Sequence, residues 1–298
     1  MVVVTLRGGL GNQLFQYATG RAVALRTGSE LRLDLSDIGN QWGPDITERP
    51  LHLNAFDLSA DYFKIAGGGH LRTAIYDKLG SILWFVSKDA AVKFVGIYKD
   101  DDTCVFDHRV LELPGNIHLD GYWQSEKYFQ PYADVLRDEI SVQNPPVGKN
   151  RDWYEQIESA NSLSIHVRRG DYVNLDRVLP PEYYHRALQH ITKTTVISDV
   201  FVFSDDMQWV REHRHELIPN NPEFDLNYVD CNDGSTAHED LRLMRACDHH
   251  IVANSTFSWW GAWLNEADSK RVIAPDYWIQ DDATNLDIVP ERWEKVGW

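Results

Sequence analysis

VVVTLRGGLGNQLFQYATGRAVALRTGSELRLDL, residues 2–35, decides the fold class. Val2 to Leu6 is a short β-branched run that stops at Gly8 and Gly9, the pattern of a strand buried on both faces. Leu14, Phe15, Ala18, Ala22 and Leu25 then recur at helical spacing, and Asn12 stands where a helix cap is expected. Leu31, Leu33 and Leu35 alternate with polar residues, as a second strand does. Strand, helix, strand is a βαβ opening and predicts a parallel sheet.

From there the pattern continues outward. Leu71–Ser87 reads as a helix, Val92–Tyr98 as extended, Lys99–Asp102 as a solvated charged loop, Ile117–Leu119 as a strand and Ser125–Ile140 as a helix. Gln143-Asn144-Pro145-Pro146-Val147-Gly148 reads as a linker, because two prolines and a glycine end any helix. Beyond it strands are expected at Leu163–Val167, Val200–Phe203, Tyr228–Val229, His250–Ala253 and Val272–Ala274. Helices are expected from Pro181, from Asp206, over Ala237–Cys247 and over Thr256–Glu266. The fold class is therefore α/β, with two Rossmann-like domains facing a cleft. The expected divisions are residues 1–145, residues 150–275, and a tail, 276–298, packing back on the domains.

The bulk numbers narrow the function. A length of 298 residues suits two domains, and 43% hydrophobic residues suffice for sizeable cores. A net charge of −16 argues against a nucleic-acid partner and against anionic membrane surfaces, so a site for an anionic ligand must gather its cations locally. Three cysteines, Cys104, Cys231 and Cys247, have no C-x-x-C spacing and suggest neither a disulfide framework nor a thiolate zinc site. The first apolar run is too short for a signal peptide, and none is long enough for a membrane span. The expected location is cytoplasmic, with peripheral attachment to the inner membrane left open.

Four segments carry chemistry. HVRRGDYV, residues 166–173, lies at the carboxyl end of an expected strand. There one guanidinium can fork onto a diphosphate while the other is held by Asp171, and alternation along the strand gives Arg168 and Arg169 different tasks; the residue types fit a surface salt-bridge cluster equally well. ANSTFSWWGAWLN, residues 253–265, runs from a strand into a helix whose N-terminal amides suit phosphate. Capping alone accounts for Asn254 and Ser255 but not for Ser258, Trp259 and Trp260. In VFVFSDDMQWV, residues 200–210, a carboxylate of Asp205 or Asp206 can accept the N1–H and amine of guanine, and Asp205 is equally a helix cap. In RGGLGNQLFQYATGRA, residues 7–22, the glycines approach a dinucleotide fingerprint, with Asp34 where a ribose acid would stand. Leu14 occupies the third glycine position, so Gly8, Gly9 and Gly11 read better as a loop that lets backbone and Asn12 approach a ligand.

In this order, GGLGNQLFQYA, HVRRGDYV, SDD and ANSTFSWWGAWLN resemble the bacterial-type α-1,2-fucosyltransferases of glycosyltransferase family 11, and they span nearly the whole chain. The resemblance implies a GT-B-like fold with the donor bound mainly by the second domain and the acceptor on the side of the first. By motif position, Arg168 would hold the donor β-phosphate, with Arg169 and Asp171 beside it, and His166 would lie at the nucleotide. Asp206, with Asp205, would hold guanine or ribose. Ser255, Thr256, Phe257 and Ser258, following Asn254, would cradle the diphosphate, and Asn12 would lie near the reaction centre with Gly9 and Gly11. The implied reaction is inverting transfer of fucose from GDP-fucose, a co-substrate, to a galactose-terminated oligosaccharide.

Arg168 and the helix start at Ser255 can stabilise the departing diphosphate, which predicts that no metal and no cofactor is needed. Asp100-Asp101-Asp102 contains the D-x-D of metal-dependent transferases but stands in a polar loop. Asp176 is a candidate general base, and Asn12 can orient the acceptor hydroxyl. Trp42, His52, Tyr122 and Trp123 are candidates for shaping the acceptor site.

Overall fold

A computed structural model of the chain describes residues 1–39, 50–64, 87, 92, 96–100, 103–218, 223–279 and 286–298. The described residues form two compact units. The first runs from Met1 to Ile140 and takes in Leu286–Ile288; the second holds the rest from Ser141 onward.

In the first unit β1 (Val2–Thr5) leads through α1 (Leu10–Thr27) into β2 (Leu31–Asp34). With β3 (Asp61–Phe63), β4 (Ile97–Lys99) and β5 (Ile117–Asp120) these strands make a parallel sheet in the order β3-β2-β1-β5-β4. Val2, Val4, Leu31, Leu33, Ile117 and Leu119 are buried along it. Gly20 lets α1 lie close to β1, since a Cβ there would collide with Val4.

Asn12 is not the cap of α1. The turn at Gly8, φ +76°, starts the helix earlier, with Gly9 as cap and Asn12 inside the first turn. The helix expected over Ser125–Ile140 is broken: two 3₁₀ turns, Glu126–Tyr128 and Gln130–Tyr132, precede α2 (Ala133–Glu139). Pro131 has no N–H to continue an α-helix, and the turns form instead. Val92 is helical, and strand begins only at Ile97. Asp100 is not a free loop carboxylate, because it accepts the backbone N–H groups of Tyr122 and Trp123, both at 3.0 Å. The helix expected over Leu71–Ser87 (Ser87 apart), Trp42, Asp101 and Asp102 lie outside the described residues.

The second unit opens with a helix that the proline-rich linker hid, α3 (Lys149–Glu158). There follow β6 (Ser162–Val167), α4 (Gly170–Asn174), α5 (Pro181–Thr192), β7 (Asp199–Ser204), α6 (Met207–Glu212), α7 (Arg214–Leu217) and β8 (Asp225–Val229). The chain then forms α8 (Ala237–Ala246), β9 (His249–Ile251), α9 (Thr256–Leu264), β10 (Val272–Pro275) and β11 (Glu294–Val296). The six strands are parallel, in the order β11-β10-β9-β6-β7-β8. All six residues of β6 are buried, as expected of the central strand of a sheet covered on both faces. Val200 and Val202 pack with α5 on one face, while Phe201 and Phe203 pack with Ile157, Leu243 and Met244 on the other. Cys104, Cys231 and Cys247 form no disulfide. Among the described residues, no helix is long and apolar enough to cross a membrane.

One consequence of α8 packing is measurable. Burial pushes the Asp240 carboxyl up from 3.8 to about 6; the hydrogen bond from Asn232 opposes the rise and the Glu239 charge adds to it. A folded-state pKa above the unfolded one means that ionised Asp240 destabilises the fold above pH about 6, an effect that fades as pH falls towards 3.8. Asp240→Asn keeps an acceptor for Asn232. It is expected to raise Tm at pH 7.5 and to lose that advantage through this window. A Tm difference that does not change with pH would refute the assignment.

Candidate active site

A doubly wound parallel sheet binds ligands outside the carboxyl ends of its strands where the strand order reverses. In the second unit that point lies between β6 and β9. Ile165 and Ile251 are in register, so Arg168 and Asn254, three residues beyond each, leave the sheet at the same edge. Tyr172 Oη donates to the Asn254 carbonyl at 3.1 Å and ties the two loops together.

On the other side of β6, Val167 stands opposite Ser204 of β7, which brings the two arginines to the two aspartates that follow. Arg168 is held by two carboxylates: it pairs with Asp171, and its Nη1 lies 2.9 Å from Asp205 Oδ2. Its guanidinium also lies 5.2 Å from the Tyr172 ring, and its side chain stays 19% exposed. Arg169 Nε is 3.2 Å from Asp206 Oδ2, its guanidinium lies 3.7 Å over the Trp209 ring, and its backbone N–H donates to Asp205 Oδ1 at 2.9 Å. The two arginines thus differ in surroundings, as strand alternation requires. Asp171, however, holds Arg168 itself rather than the neighbouring arginine, because α4 starts at Gly170 and its first turn carries Asp171 back over Arg168. The cap of α6 is Asp206, which accepts from the Trp209 N–H at 3.2 Å. Asp205 is not a cap; the arginines take its carboxylate, and a Cβ on Gly170 would collide with it.

His166 is 4% exposed. Burial, reinforced by the Arg168 charge, lowers its pKa to about 3, so the ring is neutral at physiological pH. Its Nδ1 is buried without a hydrogen-bond partner, and the ring lies 5.6 Å from that of Phe257. Across the switch point, α9 starts on Ser255, whose side chain makes no capping bond, and no acidic residue sits in the first turn. The positive end of the helix therefore meets no counter-charge from its own first turn. Ser255 and Ser258 are buried, with Ser258 Oγ donating to the Ser255 carbonyl at 3.3 Å, while Thr256 and Phe257 are half-buried. Asn254 donates to the Arg177 carbonyl at 3.0 Å, leaving its Oδ1 buried and unpartnered. Trp259 and Trp260, which capping did not explain, are wholly buried and pack with Trp263; they are core. Asp176 is exposed in the turn after α4, at φ +52°.

In the first unit the strand order reverses between β1 and β5. The loop after β1 carries Gly8 and Gly9, the first turn of α1 carries Gly11 and Asn12, and the segment after β5 carries Gln124, whose Nε2 donates to Asn12 Oδ1 at 2.8 Å. A Cβ on Gly9 would meet no atom within 4 Å, whereas one on Gly8 would press on Asn12. Gly11 is buried within α1. Arg7 pairs with Asp120 and lies 3.3 Å from Asp37, and Lys99 lies 3.5 Å from Asp120. Asp34, the ribose acid of the dinucleotide reading, accepts from the backbone and hydroxyl of Ser36 at 3.0 and 2.6 Å and closes a turn. Sequence reasoning missed Tyr172, Trp209 and Gln124. A signal existed for each: Tyr172 lies inside the arginine motif, Trp209 one turn after Asp206, and Gln124 just past a strand end.

Two parallel sheets covered by helices, each with a reversal of strand order, are the architecture of the GT-B glycosyltransferases. Solved structures share it: NodZ α-1,6-fucosyltransferase soaked with GDP-fucose matches with a TM-score of 0.51 at 18% identity, over 88% of this chain and 92% of that one. Arabidopsis thaliana FUT1, solved as a variant in complex with GDP, matches with a TM-score of 0.52 at 13% identity, over 91% and 69%. Residues 97–296 match the model of Glycosyl transferase family 11, and the chain belongs to that family. An α-1,2-colitosyltransferase of Escherichia coli is 31% identical over 99% of both chains. A galactoside 2-α-L-fucosyltransferase of Caenorhabditis elegans is 28% identical over 60% of this chain and 52% of its own.

Proposed function

We propose that the protein transfers L-fucose from GDP-β-L-fucose, with inversion, to the 2-hydroxyl of a terminal β-galactoside. The observation that carries this reading is that Arg168, Arg169 and the start of α9 leave the second sheet at the same edge of its switch point, in a chain of net charge −16. Those groups suit a departing diphosphate, which develops charge in the transition state. In this reading Arg168 binds the β-phosphate, displacing one of its two carboxylates or accepting a third anion through its exposed edge, and Ser255–Ser258 bind the diphosphate from the other side. Neutral His166 lies at the nucleotide, and Asp206, with Asp205, faces guanine or ribose. Asn12 orients the acceptor hydroxyl, with Asp176 as the candidate base. The second unit is thus the donor side and the first the acceptor side, and neither metal nor cofactor takes part.

The colitosyltransferase relative supports a second donor. Colitose is L-fucose without its 3-hydroxyl, and a site built to hydrogen-bond that hydroxyl discriminates by about 10⁴-fold, whereas an apolar site manages only about 10²-fold. The deciding assay incubates the protein with lactose and either GDP-fucose or GDP-colitose in the presence of EDTA. It follows GDP release and determines the new linkage by NMR. GDP-fucose is expected to react faster and to give an α-1,2 product without added metal. Preference for GDP-colitose would replace the donor. Activity that appears only with magnesium or manganese would refute the metal-independent mechanism.

A further inference from the structure

The first unit holds a cavity of about 450 Å³ at the carboxyl edge of its sheet, between the end of β4, residues 105–109 and Trp123. Cavities of this size hold small ligands. Four features shape its walls. The Phe106 ring lines it, braced by Tyr128 with centroids 4.9 Å apart and with the Lys127 ammonium 5.9 Å from its own centroid. Asp107 is fixed by Tyr98 Oη at 2.6 Å and by a fork from Arg109, at 2.8 Å from Nε and 2.6 Å from Nη2. Burial tends to raise the pKa of Asp107, but these bonds outweigh it and hold the carboxyl at about 2. Trp123 is wholly buried at φ +57°, a conformation that a bulky residue rarely adopts, and it is pinned there by the Asp100 carboxylate. Its indole N–H has no hydrogen-bond partner. A bulky residue held at positive φ stores backbone strain of the kind that clusters at ligand sites.

Among the described lining residues, Lys99 and Arg109 stand against Asp100 and Asp107, with His108 beside them. An anion gains nothing there, whereas a neutral molecule with many hydroxyls finds both donors and acceptors, with an aromatic face for its C–H groups. We propose that this cavity is a sugar subsite that takes the neutral pyranose next to the galactose receiving transfer. The assignment to an acceptor rests on the reaction proposed above, but sugar binding itself does not.

The test is saturation-transfer NMR of lactose with the full chain and no donor, comparing glucose-ring with galactose-ring protons. Val105 is exposed at the cavity wall, so Val105→Trp fills the space without touching the core. In the wild-type protein the glucose ring is expected to be saturated. Val105→Trp and Phe106→Ala should each reduce that signal at least fivefold, and Phe106→Tyr, which keeps the ring, should restore it. Glucose-ring saturation unchanged in Val105→Trp would overturn the subsite, even if Phe106→Ala fails to fold. Loss of the signal in Val105→Trp, in a protein that releases no GDP from either donor, would keep the subsite and sink the transfer reaction instead.

Discussion

Arg168→Ala is expected to lower kcat/KM for transfer by about 10³-fold, the size of effect seen when one donor to a developing anion is removed. The structure adds a second consequence. Arg168 lies between Asp171 and Asp205, and all three side chains are at most 27% exposed. Removing the guanidinium leaves two carboxylates facing each other with no cation between them. Fully buried pairs lose about 3–5 kcal/mol on such a deletion, and solvent access here reduces the expected loss to about 1–2 kcal/mol. Arg168→Lys separates the two effects. It keeps the charge, and hence most of the stability, but it cannot fork onto a carboxylate and a phosphate together. Tm, GDP binding and turnover should be measured on both variants. Near wild-type turnover in Arg168→Ala, in a folded protein, would remove the residue from the mechanism.

The largest loss of stability is expected from Trp259→Ala. Trp259 is wholly buried, stacked on Trp263 at 6.0 Å and 12°, edge-on to Trp260 at 5.1 Å, and tilted against Trp293 at 5.5 Å. Deleting an indole from such a site costs about 3–5 kcal/mol, the lost transfer energy plus the cavity left behind. For units of this size that corresponds to a fall in Tm of roughly 6–20 °C. Trp259→Phe should lose less than half as much. Because this cluster seats α9, whose first turn faces the switch point, the alanine variant should also weaken GDP binding. A loss below about 1 kcal/mol in a urea melt would mean that the cluster is not the anchor described here.

Much of the fold could be read from the sequence, because buried parallel strands appear as short apolar runs. Val2–Thr5, Ser162–Val167, Asp199–Ser204 and Val272–Pro275 all have that character. What escaped has weak or contrary patterning. α3 buries only Ile157, so its ten residues show no broad apolar stripe. β11 is Glu-Lys-Val, an edge strand with one apolar side chain, Val296, packed on the core and with Glu294 paired to Arg271. At the site, the motifs marked the loops but not their wiring. Which arginine meets which aspartate depends on Val167 standing opposite Ser204, and strand register is a long-range fact that no local spacing encodes. The cap at Asp206 rather than Asp205 follows from the same geometry. Gln124 beside Asn12 is likewise a contact between distant segments, 112 positions apart.

Leu286–Ile288 belong with the first unit, where Asp287 accepts from the Phe106 N–H at 2.8 Å and pairs with Lys127 at 2.5 Å. Domains usually fold in the order in which the ribosome delivers them. Here the earlier-made unit lacks part of its own packing until the later one has been almost entirely synthesised. During translation it must wait, with the Phe106 and Lys127 region uncapped, and a ribosome stalled short of residue 286 would carry two incomplete folds rather than one finished and one nascent.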